Sequence, residues 1–428
     1  MNPKSCTVAR VADRTSPSLW RNRDYLSWWT GTAFSVLGSN VSVVAFPLLV
    51  VFGTGSVFGA GVIAAAGRIG LLITTLWGGA LADRVSRRLI LVGVPLVQAV
   101  LMAGVTITIW TGHVWIPVLG AIGLVAGLLV GVASGAELPA LRRIVPREQF
   151  AARAAQEQGL HQAAQLIASP LAALLYTLAR WLPFALDAVT FLLGSLFSAL
   201  VRRPLGPEPR SDESGRRPSF LADVRGGLRV VRRTPFLRYT MVWVAVTNMV
   251  GNSFLLLLIV LLKERGAGPR TIGVINSMVL VGGLLGAVLA GRILERVGSR
   301  RVFLIGGWVY VVTLALAAVS PQQWQIALVA ALFVFASVPT VSVWEAYLAS
   351  LVPDEFVGRV GSVANFAAQS LVWLGLLLVG LLVDHLGATV GVLCYAALLV
   401  PFAVCNLFAR SLAVLSTPLA QVQEVDVT

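Results

Sequence analysis

The chain contains twelve long runs of apolar residues, each about as long as a helix that crosses a lipid bilayer. A bilayer core of about 30 Å needs about 20 helical residues at 1.5 Å per residue. A helix satisfies its own backbone hydrogen bonds in lipid, and the runs lack the alternation of a membrane β-barrel. The sequence therefore predicts an all-α integral membrane protein of twelve transmembrane helices, with spans near residues 28–50, 56–82, 89–110, 116–137, 154–178, 182–201, 238–262, 271–294, 302–319, 324–345, 360–383 and 389–408.

The composition supports a membrane protein and argues against the common soluble classes. Hydrophobic residues make up 57% of the chain and charged residues 12%, whereas soluble proteins are about a quarter charged. The net charge of +14 favours contact with membrane lipids, and no nucleic-acid partner is expected. The sequence has no phosphate-binding loop and no zinc or hydrolase motif. We therefore expect that the protein is not an enzyme and that it binds no cofactor or metal.

The basic residues predict the orientation in the membrane. If the spans alternate in direction, 28 of the 33 Lys and Arg residues fall on the side that holds both termini. Positive charge marks the cytoplasmic side. We therefore expect a multi-pass protein of the cell (inner or plasma) membrane with both termini cytoplasmic. The Arg-rich residues 1–27 have no apolar core of their own and are expected to form a cytoplasmic tail rather than a cleaved signal peptide.

One long polar stretch divides the spans into two sets of six. Residues 202–237 form a linker between an N-terminal half, 28–201, and a C-terminal half, 238–408, which is followed by a cytoplasmic tail, 409–428. Within the linker, residues 220–233 place apolar side chains at helical spacing opposite a basic face. This pattern predicts an amphipathic helix on the inner membrane surface.

The same charged segment follows span 2 and span 8, as "GGALADRVSRR" and "AGRILERVGSRR". A second pair of related segments, "ELPALRRIVPREQF" and "EAYLASLVPDEF", follows spans 4 and 10. Repeats in the same order at equivalent places indicate two six-helix pseudo-repeat halves around a central cavity. The two copies of the charged segment consist of Gly79, Asp83, Arg84, Arg87 and Arg88, and of Gly291, Glu295, Arg296, Arg300 and Arg301.

With this organisation the whole chain resembles the major facilitator superfamily, and "GGALADRVSRR" resembles its motif A in the loop between helices 2 and 3. The stretches "LRRIVPREQF", "LPFALDAVTFLL" and "SFLADVRGGLRVVRR" are similar to the drug and siderophore exporter branch, which includes macrolide-efflux-like and enterobactin-exporter-like proteins, in an actinobacterial version. The resemblance implies a monomeric secondary transporter that works by alternating access, with proton-coupled export of an amphipathic small molecule such as an antibiotic, secondary metabolite or siderophore. A lipid or lysolipid transporter of the same fold and a non-transporting membrane sensor are alternatives.

The charged segment has two interpretations. The resemblance implies that motif A stabilises the outward-facing state, with Asp83 near the start of helix 11, where this chain carries Asp354, Glu355 and Arg359. A few kcal/mol at such a latch biases a two-state equilibrium. Alternatively, the basic residues only fix the topology.

Four charged residues within or near the spans are candidates for proton or substrate binding, because charge inside a membrane is costly. They are Arg68, Glu137, Asp187 and Glu345. Arg68 stays charged and needs an anionic partner, either the substrate or a carboxylate of the protein. Asp187 or Glu137 is the expected proton carrier; a buried hydrogen-bonded carboxylate or an interfacial charge is the alternative.

Uncharged polar residues on the spans are candidates for the wall of the cavity, although they could equally form hydrogen bonds between helices. They are Asn40, Gln98, Gln165, Asn248, Asn252, Asn365 and Gln369. Two positions depart from the family pattern: Ser39 and Asn40 stand where many relatives carry an acid, and alanines surround Pro170 where the antiporter motif has glycines.

Overall fold

The computed structural model describes residues 19–82, 85–203, 220–353 and 356–422, and these form fourteen α-helices without a strand. The prediction of an all-α fold is confirmed. The helices are α1 (Arg23–Gly53), α2 (Val57–Ala82), α3 (Arg87–Trp110), α4 (Ile116–Ile144), α5 (Phe150–Leu178), α6 (Leu182–Ala199), α7 (Phe220–Arg233), α8 (Pro235–Glu264), α9 (Pro269–Val297), α10 (Ser299–Val319), α11 (Gln323–Leu351), α12 (Val357–Ser370), α13 (Val372–Leu386) and α14 (Ala388–Phe408).

Twelve segments of the described chain have the length of a membrane span. Eleven of them are both long and apolar enough to cross a bilayer, with α12 and α13 counted as one span. The twelfth, α5, has 29 residues but is more polar, because its middle carries His161, Gln162 and Gln165. The predicted single span 11 is interrupted at Leu371, which separates α12 from α13.

The two halves repeat the same packing. In the N-terminal half α2 packs on α4 and α3 on α6; in the C-terminal half the equivalent helices pair as α9 with α11 and α10 with α14. Between the halves, α2 packs on α13 and α5 on α9. A pseudo-two-fold axis exchanges these two contacts, as expected for duplicated six-helix units.

The helix α7 lies between the halves in sequence and packs on the C-terminal one. It contacts α12 and α8, and its Val230 and Val231 side chains are buried. Gly227 allows the close approach, since a Cβ there would lie 2.6 Å from the carbonyl oxygen of Arg359. The linker helix therefore contacts the start of span 11.

The second copy of the charged segment contains one residue more than the first, and the structure shows its role. Gly298 joins α9 directly to α10 and has φ +84°, a conformation that a residue with a Cβ rarely adopts. The extra glycine thus lets the chain turn between two helices with no further loop.

Candidate functional site

The two halves contact each other closely at the end that carries the α1–α2 and α13–α14 turns, which we call the loop end. The opposite end, near α7 and the first and last described residues, Leu19 and Val422, is called the termini end. At the loop end α2 and α13 approach so closely that a Cβ on Gly380 would lie 2.5 Å from the Cα of Phe58. A larger side chain at Gly380 would force the two halves apart.

Two charged side chains of the C-terminal half bind helix ends of the N-terminal half at this loop end. The Asp384 carboxylate accepts hydrogen bonds from the backbone N–H of Val57 (3.0 Å) and of Phe58 (2.9 Å), the first residues of α2. Lys263 Nζ donates to the carbonyl oxygen of Val51, in the last turn of α1, at 2.5 Å. An anion at a helix N-terminus and a cation at a C-terminus are both stabilising. We call this pair the loop-end clasp.

The second contact between the halves joins α5 to α9. The amide of Asn276 donates to the hydroxyl of Ser169, and Arg270 Nε donates to Thr177 Oγ1 at 3.1 Å. Ala172 and Ala173 are buried here. The alanines near Pro170 thus still allow close packing of α5 on its partner helix.

Arg68 lies near the middle of α2 and also bridges the halves. Its Nη2 donates to Asn252 Oδ1 of α8 at 3.0 Å. The amide nitrogen of Asn252 donates in turn to the Asn248 carbonyl oxygen at 2.9 Å, which fixes the orientation of the Asn252 side chain. Three predicted site residues, on α2 and α8, therefore come together at mid-span.

Gln369 lies in the last turn of α12, next to the break at Leu371. Its Oε1 atom is buried and has no hydrogen-bond partner among the described residues. A buried acceptor without a donor is costly and indicates a missing partner. Asn365, one turn earlier, is exposed.

Asp187 is buried within the N-terminal half, between α6 and α1. Its side chain is 2% exposed, and Oδ2 accepts a hydrogen bond from Ser42 Oγ at 2.5 Å. A Cβ on Gly38 would lie 2.6 Å from Asp187 Oδ1. The carboxylate is thus tightly packed between two helices of the same half.

The other predicted residues are dispersed. Glu137 on α4 is half-buried, with Arg153 and Glu157 of α5 as its charged neighbours. Glu345 is exposed and Gln165 half-buried, Gln98 is buried on α3, and the Asn40 amide donates to the Val36 carbonyl of its own helix at 2.8 Å.

The charged segment after α2 falls partly outside the described residues, which exclude Asp83, Arg84, Asp354 and Glu355. Gly79 lies in the last turns of α2. Arg88 Nη2 donates to the carbonyl oxygen of Ala199, the last residue of α6, at 3.0 Å, and Arg87 is buried. In the second copy Gly291, Glu295, Arg296, Arg300 and Arg301 are all exposed.

Of the side chains that join the halves, Arg68 and Asn252 were predicted as site residues. Lys263, Arg270, Asp384 and Asn276 were not. The sequence does offer one indication, because Asp384 is an acid at the end of an apolar span, where it could interact with the N-terminus of a neighbouring helix. Its partner lies more than 300 residues away in the chain, however, and no local pattern reveals such a pairing.

The fold and these contacts define a helical membrane transporter with two pseudo-repeat halves that meet at a polar centre. The chain belongs to the Major Facilitator Superfamily, whose sequence profile matches residues 28–268 and 242–423. It is 26% identical to Macrolide efflux protein A of Streptococcus pyogenes, over 86% of this chain and 91% of that protein. It is also 26% identical to Multidrug efflux pump Tap of Mycolicibacterium fortuitum, over 82% and 87%.

Solved structures confirm the fold. A mutant of the nucleoside transporter NupG matches 91% of this chain and 100% of its own, with a TM-score of 0.74 and 11% identity. A bacterial homologue of the human lysosomal transporter Spinster, inward-facing and unoccupied, matches 93% and 98%, with a TM-score of 0.71 and 13% identity.

Proposed function

We propose that this protein is a secondary active exporter that moves an amphipathic small molecule across the cell membrane by alternating access, driven by proton entry. The observation that carries the proposal is the set of contacts at the loop end. Besides the close packing of α2 on α13, the halves are joined there by hydrogen bonds of Asp384 and Lys263 with helix ends. Such contacts are strong enough to hold one state and weak enough to break within a transport cycle. The two efflux proteins among its relatives support the direction of transport.

The proposed topology places residues 1–27, the linker 202–237 and the tail 409–428 in the cytoplasm, because the basic residues concentrate on that side. The loop end then faces outward. The contacts at the loop end correspond to a protein closed to the outside, from which the cargo would be taken up on the cytoplasmic side. We propose that the monomer is the transporting unit.

For proton coupling, the better candidate is Glu137. It is half-buried on α4 with charged neighbours on another helix, so it is less enclosed than Asp187. Asp187 is closed in by Ser42, Gly38 and Thr190, which favours a structural role.

The test is drug tolerance in a bacterium that lacks its own pumps. The wild type, Asp83→Asn and an empty vector are compared across a broad compound panel, with Glu148→Gln as a control for removal of an exposed acid. We expect the wild type and the control to protect against a subset of compounds. Asp83→Asn should lose protection at normal membrane levels. If the well-expressed wild type protects against none of them, broad drug export is wrong, and labelled-lipid flux in vesicles becomes the next assay.

A further inference from the structure

The centre of the molecule holds a positive charge that no acid of the described residues neutralises. Arg68 Nη2 is bound to the neutral Asn252. The two ion pairs between described residues, Arg153 with Glu157 and Arg203 with Asp24, lie elsewhere. A guanidinium at this depth keeps its charge, so its position favours an anionic partner.

The other N–H groups of Arg68 are accessible to such a partner. The side chain is half-buried, and none of its nitrogen atoms is among the buried polar atoms that lack a hydrogen bond. The unused donors therefore keep some accessible surface.

The packing of α2 on α13 places Arg68 at the level of the break between α12 and α13, where Gln369 lies. A Cβ on Gly380 would touch Phe58, and one on Gly61 would lie 2.5 Å from the Leu376 carbonyl oxygen. One turn further, Ala65 packs against Val372. The helices run in opposite directions, so one further turn along α2 brings Arg68 to the level of the break at Leu371. The buried Oε1 of Gln369, two residues before that break, has no donor among the described residues.

The chain is also broken at this level. Span 11 is interrupted at Leu371, directly after Gln369, and interrupted helices at mid-membrane are typical of substrate sites in secondary transporters. An unpaired cation, an unpaired acceptor and a helix break therefore coincide at one depth.

We propose that Arg68, Asn252 and Gln369 form a subsite for a carboxylate group on the cargo, an inference that rests on the proposed transport function. The carboxylate would replace Asn252 as the acceptor of the Arg68 guanidinium. Asn252 and Gln369 would bind polar groups next to the carboxylate. Because the Arg68–Asn252 bond joins the two halves, binding of the cargo would also release one of the contacts between them.

The probes are tetramethylrhodamine free acid and its methyl ester, which differ only at the carboxylate. Binding to the purified, detergent-solubilised full-length protein is measured by fluorescence anisotropy. A charge-assisted pair of hydrogen bonds predicts about tenfold tighter binding of the acid. We expect Arg68→Gln to remove this preference, Arg68→Lys to keep part of it, and Arg180→Gln, at an exposed arginine of the loop end, to leave it unchanged.

Asn252→Asp separates this role from a structural one. A carboxylate at this position would pair permanently with Arg68, so a structural contact would be strengthened while the subsite would be blocked. We expect a stable protein without preference for the acid.

Three results would overturn the subsite: equal binding of acid and ester by the wild type, no binding of the acid, or an acid preference that survives in Asn252→Asp. Because binding is measured without flux, these results leave the export proposal intact. Loss of drug tolerance for all compounds would instead count against export.

Discussion

The contact of Asp384 with the start of α2 should control how often the loop end opens. In the closed protein its carboxylate accepts two backbone hydrogen bonds, of 3.0 and 2.9 Å, from Val57 and Phe58. Asp384→Asn has the same shape, but its amide offers one acceptor oxygen and an NH₂ group that cannot accept. The variant therefore loses one hydrogen bond and the negative charge at a helix N-terminus.

The magnitude follows from those two losses. A hydrogen bond to a charged group contributes about 1.5–3 kcal/mol, and a charge at a helix end about 0.3–1 kcal/mol. The low ends of these ranges sum to about 1.8 kcal/mol. Since Asp384 is exposed, solvent screening reduces the loss in the closed state to about 1.5 kcal/mol. This changes the ratio of open to closed molecules roughly tenfold. A population with about one open molecule in ten would rise to roughly half.

The assay is the distance between two spin labels at the loop end, one on each half, measured by pulsed electron paramagnetic resonance. His113→Cys and Pro321→Cys place the labels on exposed turns of the N- and C-terminal halves, in a background without the native cysteines. We expect Asp384→Asn to increase the long-distance population at the expense of the short one.

A matched control lies in the same region. Glu264 binds the backbone N–H of Ala388, at the start of α14, at 2.8 Å, but both residues belong to the C-terminal half. Glu264→Gln should lower thermal stability slightly and leave the label distances unchanged. If Asp384→Asn leaves the distances as in the wild type, or if Glu264→Gln shifts them equally, the clasp does not govern opening.

Three further predictions concern closure of the loop end and the two candidate proton carriers. Gly380→Leu should prevent closure of the loop end and abolish drug tolerance at normal membrane levels. The control Gly104→Leu, at a position with no atom within 4 Å of the added Cβ, should keep drug tolerance. Equal tolerance in both variants would contradict the role of Gly380 in closure. Asp187→Ala leaves the Ser42 hydroxyl without its acceptor, so the free energy of unfolding should fall by about 1–3 kcal/mol and the melting temperature should fall with it. Glu137→Gln should keep the melting temperature of the wild type and stop proton release in vesicles. Unchanged stability of Asp187→Ala together with lost proton release would place Asp187 in the proton path instead.

The number and order of the spans could be predicted because the membrane imposes them locally. Each span must be apolar over about 20 residues, whatever it packs against. The same argument does not predict where the helix of a span is interrupted. The break at Leu371 directly follows Gln369 and Ser370, and no proline lies at that point. There α12 packs on α7 and α8, and α13 packs on α2 and α8, which are contacts that no local pattern contains.

The site was predicted in part, for a related physical reason. Charges inside a span stand out because they are costly, and this identified Arg68 and Asp187. The cost of a buried charge does not distinguish their roles. Arg68 bridges the two halves, whereas Asp187 is enclosed between two helices of one half. Asn252 was proposed because it is an uncharged polar residue on a span, yet its partner on α2 is 184 residues away.

The two ends of the protein offer a physical reason for the repeated charged segment. At the loop end, acidic and basic side chains of one half bind helix ends of the other. At the termini end, we propose that the charged segment after α2 binds a helix end of the other half when the loop end is open, with Asp83 near the start of span 11. Within the N-terminal half, Arg88 binds the last carbonyl of α6. Contacts with helix ends contribute about 1–3 kcal/mol each, so such contacts at both ends would keep the two states close in free energy. These charges, although costly in a membrane protein, would then keep both conformations accessible.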